Sequence, residues 1–276
     1  MSDLKQILVD RFGLDPAIQA DHLNPTIESL LTRHVCRRYA DQAVSEDHLD
    51  LLLACAQSAP TKSNLQQYSI VAVRDKDTIR RIAEMVPSMP WIADAPLFLV
   101  FLGDVRRIRR LAKTRGHDYA NNNADTFMNA SVDAALAMQM FITAAESSGL
   151  GCCPISYVRN RIEDFSDLLN LPDGVFPICG LTVGWPAAEG YVSMRLDPAT
   201  VVHREIYDDD ALVEEVTGYD DRNHDRFPLP AGKQRHTDRY GVLEKCTWSE
   251  NVSRQLSLPE RAGFADYLKS KDINLD

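Results

Sequence analysis

Between residues 33 and 39 the chain reads Arg33-His34-Val35-Cys36-Arg37-Arg38-Tyr39, with four cationic or potentially cationic groups within six residues. Guanidinium groups form forked, charge-assisted bonds, and a spacing of one to four residues lets two of them meet one anion, such as a phosphate. The plainer reading is a solvated basic helix end, which the negative end of the helix dipole favours. A second cluster, Ser58-Ala59-Pro60-Thr61-Lys62-Ser63-Asn64-Leu65-Gln66-Gln67-Tyr68, offers hydroxyls, amides and backbone N–H groups that suit a polar heterocycle. Its plainer reading is a helix-to-strand loop. A third, Gly149-Leu150-Gly151-Cys152-Cys153-Pro154-Ile155-Ser156-Tyr157-Val158-Arg159, is a glycine-bracketed turn into a short extended segment. Its adjacent cysteines do not make a redox pair, because strand neighbours point to opposite faces and cysteine is among the most buried residue types. A fourth, Arg106 to Arg115, is basic at six of ten positions. Without interleaved aromatics it reads as a solvated helix face rather than a nucleic-acid site.

The elements that must position these clusters follow from periodicity. Tyr68–Val73, Leu97–Leu102 and Phe176–Val183 are nearly continuous apolar runs, as expected of strands covered on both faces. Helical patterns lie between them at 77–86, 125–148 and 162–169. The 125–148 segment is apolar on nearly all sides and reads as a central buried helix that Gly149 ends. Upstream, a helix from Pro25 is expected to run through Val35, and Ser45 caps another whose buried stripe is Leu49, Leu52, Leu53 and Ala56. Helices on both faces of one sheet make an α/β or α+β domain.

The 276 residues, 45% hydrophobic and 25% charged, describe an ordinary globular chain. A net charge of −10 disfavours a nucleic-acid or anionic-membrane partner. Residues 205–225 hold nine acidic residues against the single basic Arg222. The N-terminus lacks the features of a signal peptide, and the longest apolar stretch, 134–145, is far short of the ~20 residues a membrane span needs. Six cysteines with no Cys-x-x-Cys pair read as reduced and buried, in a cytoplasmic protein. The seven histidines, His22, His34, His48, His117, His203, His224 and His236, show no metal-ligand spacing, which disfavours a metal hydrolase.

Taken together and in order, these pieces resemble the nitroreductase family of FMN-dependent oxidoreductases. The family's Arg-x-Ser-x-Arg-x-aromatic signature stands here as Arg33, Val35, Arg37 and Tyr39. Its Ser/Asn-rich loop is similar to SAPTKSNLQQYSIVAVRD, and the stretch from Ala144 to Pro186 resembles the NADPH-linked, oxygen-insensitive nitroreductase and flavin reductase branch. The later RLDPATVVHREIY and CTWSENV segments agree with that branch. The resemblance implies an α+β fold, an α/β sandwich with a central mixed sheet flanked by helices, in an intertwined homodimer with FMN at the subunit interface. Residues 1–24 are then an N-terminal lead-in, and 25–276 a single FMN-binding domain with a C-terminal extension.

It also implies roles. Arg33, His34 and Arg37 would bind the FMN phosphate and ribityl chain, with Val35 where the family has Ser, and Arg195 would bind phosphate with Ser193 in place of the usual lysine. Thr61, Ser63, Asn64 and Gln66 would line the flavin ring or the partner subunit's edge. Ile155, Ser156 and Tyr157 would lie under the ring, Ser156 and Tyr157 replacing glycines common in the branch. Arg159 and Arg239 would meet the nicotinamide nucleotide, NADPH or NADH, while Glu244 stands where another cation is usual. The implied reaction is ping-pong: NAD(P)H gives hydride to the flavin, then a nitroaromatic, a quinone or free flavin accepts two electrons. No side-chain acid or base is assigned. The rival readings are a reductase supplying reduced FMN or FAD and a non-catalytic FMN-binding module.

Overall fold

Aromatic and β-branched residues bounded by turn formers make the apolar runs into strands. The computed structural model describes residues 3–15, 18 and 23–276. It contains β1 (Tyr68–Val73), β2 (Leu97–Asp104), β3 (Gly151–Ile155) and β4 (Val175–Gly184). The helices are α1 (Leu4–Phe12), α2 (Pro25–Thr32), α3 (Glu46–Gln57), α4 (Lys76–Glu84), α5 (Arg106–Thr114) and α6 (Ala124–Ser147). After these come α7 (Ile162–Leu168), α8 (Pro198–Val201), α9 (Leu212–Arg226), α10 (Thr237–Tyr240), α11 (Trp248–Leu256) and α12 (Phe264–Ser270).

The strand order is β1-β2-β4-β3. Tyr68 faces Gly103, Leu97 faces Val183, and Ile155 faces Gly180, all in antiparallel ladders. The mixed sheet implied by the resemblance is therefore corrected for this chain: every ladder among the described residues is antiparallel. Continuous apolar runs report that both faces are covered, not which way the neighbours run. The coverage itself is as expected. Leu97, Leu99 and Phe101 of β2 pack with Leu52 and Ala56 of α3 and Ala134 and Phe141 of α6. Alternate residues Phe98, Val100 and Leu102 pack on the other face with Ile79 and Ile82 of α4 and Phe165 of α7. Each such side chain contributes ~1.5–3 kcal/mol by leaving water.

Local signals set the helix ends. The Asn24 side chain accepts from the Ile27 N–H at 3.1 Å, and Pro25 fills the first turn. This helix stops at Thr32, short of the expected Val35, because Arg33 turns extended at φ −55°, ψ 143°. Gly149, at φ +87°, ends α6. That helix is not buried all round. Ala130, Ala134, Ala137 and Phe141 face the core, while Met128, Val132, Leu136 and Met140 form an exposed apolar stripe.

By packing, the chain divides into two compact units, residues 1–34 with 191–260 and residues 35–190 with 261–276. In the first, Tyr219 of α9 meets Trp248 of α11 edge-on, with ring centroids 5.4 Å apart. Gly13 lies under Met194 at φ +73°, where a Cβ would come within 2.2 Å of the methionine methyl. The second contains the sheet, and α12 closes it through Tyr267 and Leu268, which pack with Val105 and Phe176. Of the lead-in, residues 1, 2, 16, 17 and 19–22, including His22, lie outside the described residues.

Candidate functional site

In the first unit, Arg11 of α1 is buried at 5% exposure and organises the backbone around it. Its guanidinium donates to the carbonyls of Leu31 at 2.9 Å, Arg33 at 2.6 Å and Ser193 at 2.9 Å. Its own carbonyl accepts from the Arg195 N–H at 2.8 Å. Arg11 thus draws two expected phosphate ligands, Arg33 and Arg195, onto one backbone network. The Arg195 guanidinium is exposed and donates to neutral oxygens, Ser193 Oγ at 2.8 Å and the Met194 carbonyl at 3.2 Å. His34 Nδ1 lies 3.3 Å from the Thr32 carbonyl. Arg239 is on α10, exposed, with its guanidinium 5.4 Å from the Tyr240 ring centroid.

In the second unit, Cys36 turns inward and leaves Val35 and Arg37 outward. The Cys36 N–H donates to the Cys152 carbonyl at 2.9 Å. The Tyr39 hydroxyl reaches the Cys36 carbonyl and Thr182 Oγ1, both at 2.7 Å. Burial pushes the Tyr39 phenol far above its usual range, so it stays protonated and structural. Arg37 stands over the Trp91 ring, 5.9 Å from its centroid.

The loop before β1 carries Thr61, Ser63, Asn64 and Gln66. Ser63, Asn64 and Gln66 adopt φ of +49°, +57° and +53°, which non-glycine residues seldom hold. Two side chains keep them there. Asp133 of α6 accepts from the N–H groups of Lys62 and Gln67, each at 2.9 Å. Arg107 of α5 donates to the Gln66 carbonyl at 2.8 Å and the Tyr68 carbonyl at 3.0 Å. Arg107 is itself braced by Asp104, whose Oδ2 also accepts from Ser69 Oγ at 2.6 Å. A cleft of about 520 Å³ opens beside this loop, with Gln66, Tyr68, Ser69 and Arg107 in its wall.

At the other edge of the sheet, β3 runs into a 3-10 turn over Ser156–Arg159. Ile155 is 1% exposed and packed in the core, so it can offer a ligand only its backbone. Ser156 is exposed and Tyr157 half-buried. Arg159 donates to the Ile178 carbonyl, and burial, then the nearby Arg261, holds its guanidinium below the ordinary value. Arg261 bonds Asn160 Oδ1 at 2.8 Å and Ser156 Oγ at 3.3 Å. Since β1 and β3 are the two edge strands, the 61–66 loop and the 155–157 turn are about three strand spacings apart, roughly 14 Å.

A model of the nitroreductase family matches residues 30–185, and a model of that family's C-terminal domain matches residues 193–276. The chain belongs to the nitroreductase family. The FMN reductase (NAD(P)H) of Bacillus subtilis is 36% identical over 235 residues, covering 84% of this chain and 90% of that protein. The oxygen-insensitive NADPH nitroreductase of Salmonella typhimurium is 30% identical over 246 residues, covering 89% and 97%. Among solved structures, NfrA2 of B. megaterium superposes with a TM-score of 0.83 at 29% identity, covering 92% of this chain and all of that one.

Taken unit by unit, each holds a cation whose chemistry fits a phosphate group such as that of a phosphorylated flavin. Arg37 faces an indole and Arg195 faces neutral oxygens, and neither contact neutralises the cation. Sequence reading missed Arg11, Asp133, Arg107 and Arg261. Asp133 had a signal, being the one charged residue between Thr126 and Ala145. Arg107 was hidden among the other cations of its basic run. The vicinal Cys152 and Cys153 are both buried in the sheet. No group of three or more metal-ligating side chains occurs among the described residues.

Proposed function

We propose that this chain is an FMN-dependent NAD(P)H oxidoreductase that works as a cytoplasmic homodimer and reduces nitroaromatics or quinones. The observation that supports the reading is the Arg11 network, which ties the backbones of Arg33 and Arg195, two of the cations assigned to phosphate, to one buried side chain. In this reading Arg33, His34, Val35, Arg37 and Arg195 hold the phosphate and ribityl chain. Thr61, Ser63, Asn64 and Gln66 border the flavin ring, and the backbone of Ile155, Ser156 and Tyr157 lies against it. Arg159 and Arg239 receive the phosphates of the nicotinamide nucleotide. Bound FMN supplies two-electron chemistry between nucleotide and acceptor in ping-pong order. The cations near it stabilise negative charge that develops during reduction.

Two features support the dimer. The exposed stripe Met128, Val132, Leu136 and Met140 on α6 is apolar surface that a second copy would cover. The loop and the turn adjoin opposite edge strands of the sheet, an arrangement that suits a flavin site shared with a second copy. No described helix is long and apolar enough to cross a membrane. A flavin reductase that supplies reduced flavin is the second reading, favoured by the likeness to the B. subtilis FMN reductase.

The deciding experiment is a visible spectrum of the purified protein followed by anaerobic titration with NADPH and, separately, NADH. Flavin bands that bleach with nucleotide and recover on adding a nitroaromatic or quinone are expected. Recovery only with free FMN or FAD would favour the second reading. A colourless protein that takes up no added FMN would sink both.

A further inference from the structure

Asp133 is fully buried at 0% exposure, and its described contacts are hydrogen bonds to backbone, not an ion pair. Its two oxygens divide their work: Oδ1 takes the Lys62 N–H and Oδ2 the Gln67 N–H. Such charge-assisted bonds are strong enough to hold a carboxylate in a core. The residues between these anchors include the left-handed Ser63, Asn64 and Gln66. L-residues do not keep that conformation unaided, so the surrounding structure must impose it. Arg107 adds a third hold at the Gln66 carbonyl. The protein thus spends a buried charge on the shape of one exposed polar loop.

We propose that Asp133 is a positioning residue for the flavin: it sets the 61–67 loop in its binding conformation before the cofactor arrives. The inference rests on the assignment of Thr61, Ser63, Asn64 and Gln66 to the flavin made above. Its physical content is preorganisation, since a loop already ordered does not charge its ordering entropy against binding. Asp133→Asn is the informative change because size is kept. An amide nitrogen would then face one of the two N–H groups and leave a buried donor without an acceptor.

The test strips flavin from wild type and Asp133→Asn and titrates FMN back, following flavin fluorescence and the visible bands. The variant is expected to bind FMN about tenfold more weakly, with shifted bands. A variant that melts at lower temperature but keeps wild-type affinity and bands would show a purely structural Asp133 and overturn the proposal. Wild type that takes up no FMN would instead remove the underlying site assignment, which is seen before any variant is compared. Amide exchange in flavin-free wild type tests the same point if the variant does not fold. The Lys62 and Gln67 amides should be protected at least about tenfold relative to that of Ser63. Equal exchange at all three would overturn preorganisation.

Discussion

The 61–67 loop and the 155–159 turn both present polar groups, yet they are held by opposite means. The loop hangs from charges: Asp133 takes two of its N–H groups and Arg107 takes a carbonyl. The turn hangs from the core: Ile155 and Val158 are 1% and 2% exposed, packed with Phe98, Val100 and Phe165, while Ser156 faces solvent. Directional bonds can hold strained φ angles, but each one is a single point of failure. Apolar burial is spread over many contacts, holds only ordinary backbone, and leaves the exposed residues replaceable.

The largest effect should come from the turn's anchor. Ile155→Ala is expected to cost about 3 kcal/mol in denaturant unfolding, through lost burial and the cavity left behind. A cost under about 1 kcal/mol would mean that the turn is not hung from the core. Arg37→Ala belongs to neither region and should weaken FMN about tenfold, or about 1.4 kcal/mol, with no change in the melting of the flavin-free protein. An unchanged FMN affinity would place the phosphate elsewhere. Arg107→Ala should destabilise by about 1 kcal/mol and weaken FMN severalfold, because the Gln66 carbonyl loses its charged donor. If affinity held steady, Asp133 alone would suffice for the loop. Ser156→Gly should leave stability within about 0.5 kcal/mol. A larger loss, traced to its bond with Arg261, would erase the contrast between loop and turn.

Much of the fold was legible beforehand. The three apolar runs became strands, Ser45 and Gly149 bounded helices as expected, and Leu49, Leu52 and Ala56 are buried. Periodicity and caps act over a few residues, so they can be read from a few residues. The candidate site was legible only as pieces. Arg33 and Arg195 could be named, but not the Arg11 side chain that ties them, because its partners are main-chain carbonyls that carry no residue-specific signal. Asp133 likewise binds backbone N–H groups more than sixty positions away, and any residue type would supply those.

The sequence by itself determined three of the four strands, the helices between residues 25 and 169 to within a few residues, the two covered faces of the sheet and the family, all of which follow from local pattern and motif order. The tertiary structure alone decided the antiparallel pairing, the bare stripe on α6, and the placing of loop and turn at opposite edges. It also decided which of many arginines and aspartates became anchors. Those outcomes depend on which distant backbone groups meet a side chain, and that is set by packing rather than by the neighbours in the chain.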